Sequence, residues 1–223
     1  MATSATTDPG GTGTAATPSS SRRRDRQMEA TRLDLALAAF DLARADGLAG
    51  VRVPRIAERV GVSTRTFNNY FPSKEAAIVW PTTVRGARMA ADLAERPAGE
   101  PLAAALVEVV ADQYGPGGQT GLPAGWLDGF RALVAAEPAL HGEYLKALAA
   151  GERALAEVIA RRLGAAPGDL KPPLLAGVVV AAERVAVLHW VREPEPSTPL
   201  VEVVRAAVAM AVDGIGGPGA ALT

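Results

Sequence analysis

From about residue 25 to residue 215, apolar side chains recur at three- and four-residue spacing, and no stretch keeps the period of two that a half-buried strand needs. A chain patterned this way folds as packed helices. Ala, Leu, Arg and Glu, which lose little on entering a helix, dominate the same span. Gly and Pro punctuate it. The spacing predicts helices over 26–45, 53–60, 64–70, 101–113, 124–136, 138–163, 170–192 and 199–215. A further helix opens at 74 and is expected to kink or split at Pro81, where the ring removes a backbone donor.

Composition narrows the chemistry. None of the 223 residues is Cys and two are His, which excludes disulfides, thiolate nucleophiles and the common zinc sites. Net charge is −1, but residues 22–75 hold 11 basic and 7 acidic side chains, whereas residues 76–223 hold 12 basic and 16 acidic. An anionic partner is therefore expected for the first part alone. Residues 1–24 have little to bury and read as a disordered tail ending in the basic arm Arg22-Arg23-Arg24, with Asp25 and Arg26 following. That arm either is simply solvated or follows phosphates into a minor groove. No secretory signal or membrane span is expected: Glu183 and Arg184 interrupt the most apolar window, 174–191. The expected location is cytoplasmic.

The most informative stretch is 56–71, Ile-Ala-Glu-Arg-Val-Gly-Val-Ser-Thr-Arg-Thr-Phe-Asn-Asn-Tyr-Phe. It reads as a short amphipathic helix, a turn at Gly61, a cap at Ser63 and a second short helix. Ile56, Val60, Val62, Phe67 and Phe71 form the inner face, which leaves Thr64, Arg65, Asn68 and Asn69 pointing outward. Arg pairs bidentately with guanine and Asn with adenine, so this polar set suits base reading in a major groove. A plain helical hairpin with a polar surface has the same periodicity. The cap, the turn and the outward set together favour DNA binding.

From Thr31 to Glu75 the sequence resembles, without a gap, the N-terminal domain of TetR-family transcriptional regulators. The matching residues are Ala38-Ala39, Gly47, Ile56-Ala57-Glu58-Arg59, Gly61-Val62-Ser63, Phe67, Tyr70 and Phe71-Pro72-Ser73-Lys74-Glu75. The resemblance implies base or adjacent phosphate contacts at Thr64, Arg65 and Asn68, and phosphate contacts at Tyr70 and Lys74. Two positions depart from the family pattern. Arg52 stands where a capping Thr is usual and can instead reach a phosphate. Asn68 replaces an aromatic residue, which turns the expectation there toward a base contact. The expected DNA-binding set is Arg52, Ser63, Thr64, Arg65, Asn68, Asn69, Tyr70 and Lys74.

The fold class expected is all-α, with a three-helix helix-turn-helix DNA-binding domain over 25–73, a six-helix ligand-binding and dimerisation domain over 74–216, and a disordered tail over 217–223. The last two helices, apolar on more than one face, suit a four-helix interface with a second copy, and the resemblance implies the same homodimer. A ligand pocket is expected in the core of the helices from 101 to 192. Its candidate lining is Trp126, Phe130, Arg131, Tyr144, Leu148, Gly151, Glu183, Val187 and Trp190, although ordinary core packing explains any apolar one of them. Gly151, costly in mid-helix, marks either close packing or room for a ligand. Glu183 either binds the ligand or pairs with Arg131.

The stretch 135–164 is similar to the actinobacterial branch that includes mycofactocin-type regulators, which implies an acyl-CoA-like ligand. Gly151 stands where that branch has Trp, and an apolar drug-like or polyketide-like effector is the rival. No cofactor, metal or catalytic constellation is expected. The Gly-rich stretch 115–121 lacks the strand and the Gly-Lys-Ser/Thr of a phosphate loop. The reading is a homodimeric repressor that binds a palindromic duplex and is released by a largely apolar small molecule. A helical ligand-binding or partner-binding protein without operator binding is the alternative.

Overall fold

The computed structural model describes residues 18–115, 122–123, 125–193 and 196–216; residues 1–17 of the tail expected over 1–24, the tail expected over 217–223, and most of the Gly-rich stretch lie outside the described residues. Among the described residues every regular element is a helix: α1 (Pro18–Gly50), α2 (Val53–Val60), α3 (Thr64–Tyr70), α4 (Lys74–Glu95), α5 (Leu102–Asp112), α6 (Trp126–Ala136), α7 (Pro138–Leu163), α8 (Lys171–Arg192) and α9 (Leu200–Gly216).

Local chemistry sets the ends. Gly61 takes φ 75° and its N–H bonds the carbonyls of Ala57 and Glu58, closing α2. Ser63 accepts from the Thr66 N–H and Ser73 from the Ala76 N–H, opening α3 and α4. Pro138 opens α7, and Gly164 at φ 60° closes it.

Two differences from expectation concern α1 and α4. The run Arg22 to Arg26 lies in the first turns of α1, which starts at Pro18 rather than leaving an extended arm. At the other end of α1 the helical path is broken at Gly47 (φ 71°, ψ 157°). α4 is not split: it continues as helix through Pro81.

Buried side chains fall into two cores, and the division does not follow the helix order. The first core joins Phe40 and Leu42 of α1, Ile56 of α2 and Phe67 of α3 to Ile78 and Val79 of α4, together with Trp126 and Phe130 of α6 and Leu140 and Tyr144 of α7. The second holds Met89 and Leu93 of α4 with apolar residues of α5, the far half of α7, α8 and α9. α4 therefore passes from one core to the other between Val79 and Met89. Arg205 and Glu108 pair to tie α9 to α5. α8 is long and apolar enough to cross a membrane by length and composition alone, with mean hydropathy 1.7. It packs instead against α7 and α9, and Glu183 at its centre is buried in an ion pair with Arg85. It is a core helix.

Candidate functional site

The first candidate surface is α3. Phe67 is fully buried and Phe71 nearly so, their rings 5.8 Å apart, which seats the helix on the first core. Thr64, Arg65, Asn68 and Asn69 occupy its exposed side. Ser63 holds the Thr66 N–H at 3.0 Å and the Thr66 hydroxyl at 2.8 Å, so its visible role is to shape the start of α3. Tyr70 is half-buried beneath the Arg32 guanidinium, 5.7 Å from the ring centre. Arg52 donates to the carbonyl of Ala49 at 2.6 Å.

Lys74 is placed differently from an open phosphate-binding lysine. Its Nζ donates to the carbonyls of Leu48 (2.7 Å) and Val51 (3.1 Å). It thereby closes the α1–α2 turn, where the break at Gly47 frees carbonyls that water would otherwise have to satisfy.

The second candidate site is a cleft of about 430 Å³ between α1, α4 and the start of α6. Leu33, Trp80, Val84, Leu122, Trp126 and Leu127 give it mostly apolar walls, and Arg26, Glu29, Arg85 and Arg88 lie along it. Of the ligand residues expected from sequence, Trp126 alone reaches this cleft. Phe130 and Tyr144 belong to an aromatic stack instead: Phe40 to Trp126 at 5.7 Å, Trp126 to Phe130 at 4.7 Å and nearly parallel, Phe130 to Tyr144 at 5.8 Å edge-on. The stack clamps α6 and α7 onto α1, because a Cβ added at Gly129 would already meet Phe40 at 3.0 Å. Arg131 lies over the Tyr144 ring at 5.3 Å. Val187 is fully buried in the second core, and the Trp190 indole N–H donates to the Thr198 carbonyl.

Leu148, Gly151 and Glu183 border a void of only about 10 Å³, room for a single water at most. Gly151 marks close packing rather than ligand space. A Cβ there would stand 3.0 Å from the Gly86 Cα, and one on Gly86 would stand 2.9 Å from the Gly151 Cα. The two helices cross backbone to backbone at this point.

The comparisons with known proteins are decisive about the family. Residues 36–77 match the family model described as bacterial regulatory proteins of the tetR family, and residues 126–216 match the MftR C-terminal domain. The HTH-type transcriptional regulator TcmR of Streptomyces glaucescens is 33% identical over 181 residues, covering 79% of this chain and 80% of that protein. The chain belongs to the TetR family.

Solved bacterial regulators share its fold. FadR of Thermus thermophilus, crystallised with lauroyl-CoA, covers 82% of this chain and 94% of its own at TM-score 0.52 and 21% identity. The fatty acid degradation regulator FadR of Bacillus halodurans covers 83% and 96% at TM-score 0.55 and 16% identity. The chain is thus a DNA-binding transcriptional regulator of the TetR type.

In this TetR regulator, one buried polar cluster escaped the sequence reading. Glu183 pairs with Arg85 at 3.3 Å rather than with Arg131, and it accepts a short hydrogen bond from the Tyr114 hydroxyl. The Arg85 guanidinium also lies 5.2 Å from the Tyr114 ring centre. Burial, opposed by Arg85 and aided by the Glu183 carboxylate, pushes the Tyr114 phenol well above its ordinary pKa. The phenol therefore stays protonated and donates. The cleft residues carried a legible signal in their spacing: Arg26, Glu29, Ala30 and Leu33 on one helix face, and Trp80, Val84 and Arg88 on another.

Proposed function

We propose that this TetR regulator is a homodimer that binds a palindromic operator through α3, acts as a repressor, and is released by a largely apolar small molecule entering the α1–α4 cleft. The observation that carries the operator reading is the exposed set Thr64, Arg65, Asn68 and Asn69 on a capped helix seated on the first core through Phe67. A dimer presents two such helices about one DNA turn apart, roughly 34–36 Å. Dimerisation is supported by apolar side chains left uncovered on the last two helices, Val185 on α8 at 56% exposure and Met210 on α9 at 76%. Release is supported by the cleft itself, whose walls come from both the DNA-binding helices and the remainder of the chain. TcmR is likewise a transcriptional regulator, and the Thermus FadR holds an apolar acyl chain on its CoA ligand. A protein that acts on the bacterial chromosome works in the cytoplasm, as a regulator rather than an enzyme.

Arg65→Ala tests the base-reading role. The expected result is a loss of about 1–3 kcal/mol of discrimination at one base pair of each half-site, measured by competition between the bound duplex and its single-site variants. Lys74→Met, which removes the two carbonyl contacts, is expected to lower thermal stability and to weaken all sequences together. Equal loss of discrimination in the two variants would overturn this assignment of roles.

A further inference from the structure

Two long helices, α4 and α7, run from one core into the other. α4 leaves the first core after Val79 and enters the second at Met89, and α7 leaves the first after Ala147 and enters the second at Leu155. Gly86 and Gly151 lie inside those two intervals, and there the helices touch backbone to backbone. The first core seats α3 through Phe67, whereas the second holds α8 and α9, which carry the uncovered Val185 and Met210. The separation of α4 and α7 at the crossing therefore governs where α3 stands relative to α8 and α9.

Two further contacts tie α8 to the same level. Arg85, beside Gly86, pairs with Glu183 of α8 at 3.3 Å. Glu152, beside Gly151, lies against Gly177 of α8, where an added Cβ would stand 3.3 Å from its carboxylate oxygen. In most helix pairs the side chains at the contact set the separation and can shift rotamer to absorb small changes, but two backbones in contact have nothing that can give. Resting on the reading of a dimer on a palindromic operator, we propose that the Gly86–Gly151 crossing, held on α8 through Arg85 and Glu152, determines the half-site spacing that the protein accepts.

The size of the effect follows from the contact. A Cβ on Gly151 would stand 3.0 Å from the Gly86 Cα, so the helices must part by about 0.5–1 Å to reach ordinary carbon contact. Doubled by the two-fold axis, the shift between the two α3 helices is roughly 1–2 Å, against a rise of about 3.4 Å per base pair. That is enough to change the preference among neighbouring spacings without touching the residues that read bases.

The test is a series of duplexes carrying the selected half-sites at the selected spacing and at spacings one base pair longer and shorter. Wild type is expected to bind the selected spacing at least about tenfold more tightly than its neighbours. In Gly151→Ala and in Gly86→Ala that ratio is expected to change by at least about threefold, in the same direction in both, because each methyl opens the same contact. Gly142→Ala, also within α7 but with nothing within 4 Å of the added methyl, is expected to keep the wild-type ratio. Glu152→Ala leaves both glycines in place at a half-buried position, and is expected to lower the ratio about threefold by loosening α7 on α8. Base preference within each half-site is expected to stay that of wild type throughout. The ratio compares duplexes on one preparation, so a partly unfolded variant is still read.

A wild-type ratio in both Gly151→Ala and Gly86→Ala overturns the proposal, as does an equal change in Gly142→Ala. If neither glycine variant folds, Glu152→Ala decides, and a wild-type ratio there overturns it. A change of ratio accompanied by lost base preference also overturns it, since α3 itself would then be disturbed. Indifference of the wild-type protein to spacing overturns it outright. Failure of the wild-type protein to bind any duplex sinks the operator reading instead.

Discussion

Glu183→Ala is expected to lose about 3–5 kcal/mol of stability, the usual consequence of stranding one partner of a buried ion pair. Glu183 is 4% exposed, and it both pairs with Arg85 and accepts from the Tyr114 hydroxyl. Removing it leaves a guanidinium, always charged, and a phenol that cannot readily ionise without their shared partner. Arg85→Met combined with Glu183→Leu is expected to recover most of the loss, because apolar groups of similar size need no partner. Chemical denaturation of the two variants checks this. A loss below about 1 kcal/mol in the single variant, or no recovery in the double, would contradict the cluster as described.

Phe130→Ala is expected to cost a similar amount, about 3–5 kcal/mol, or on the order of 10 °C in Tm for a chain of this size. Its ring is 1% exposed and stacks on Trp126 while meeting Tyr144 edge-on. A residue lining an open ligand pocket would behave otherwise: its truncation would cost little stability and would alter ligand affinity. A thermal shift of only one or two degrees would return Phe130 to the pocket lining that its sequence position suggests.

Those two residues also show where sequence reading succeeds and where it stops. The path of the chain was legible because its punctuation is local. Pro138 and Gly164 bracket α7 at the predicted ends, and Gly61 and Ser63 frame the turn between α2 and α3. The outward set on α3 follows from the same periodicity, since the buried positions Phe67 and Phe71 fix which side remains. The start of α1 was missed because Pro18 to Arg26 carry no apolar stripe, so nothing in the pattern separates an exposed helix from a solvated arm. Pro81 suggested a break, but packing of α4 against α7 on its far side holds the helix together through it.

The packing of the residues expected to line a pocket was illegible for a different reason. Periodicity identifies a buried face without saying which helix covers it. Trp126, Phe130 and Tyr144 share apolar faces as a pocket lining would, yet Phe40 of α1 fills the space beside them. The partner of Glu183 could not be read either, because Arg85 and Tyr114 lie 98 and 69 residues away in the chain. Gly151 is the instructive middle case. Its cost in mid-helix signalled a special position, and only the approach of Gly86 shows that the position is a helix crossing.

The central claim, a dimer reading DNA through α3, is tested most directly by selecting bound duplexes from a random library and sequencing them. The account expects a palindrome whose half-sites lie about one helical turn apart. It also expects the same selection with Arg65→Ala to return half-sites degenerate at one position. Failure to enrich any sequence, with binding that disappears at moderate salt, would leave only phosphate attraction and would contradict the claim.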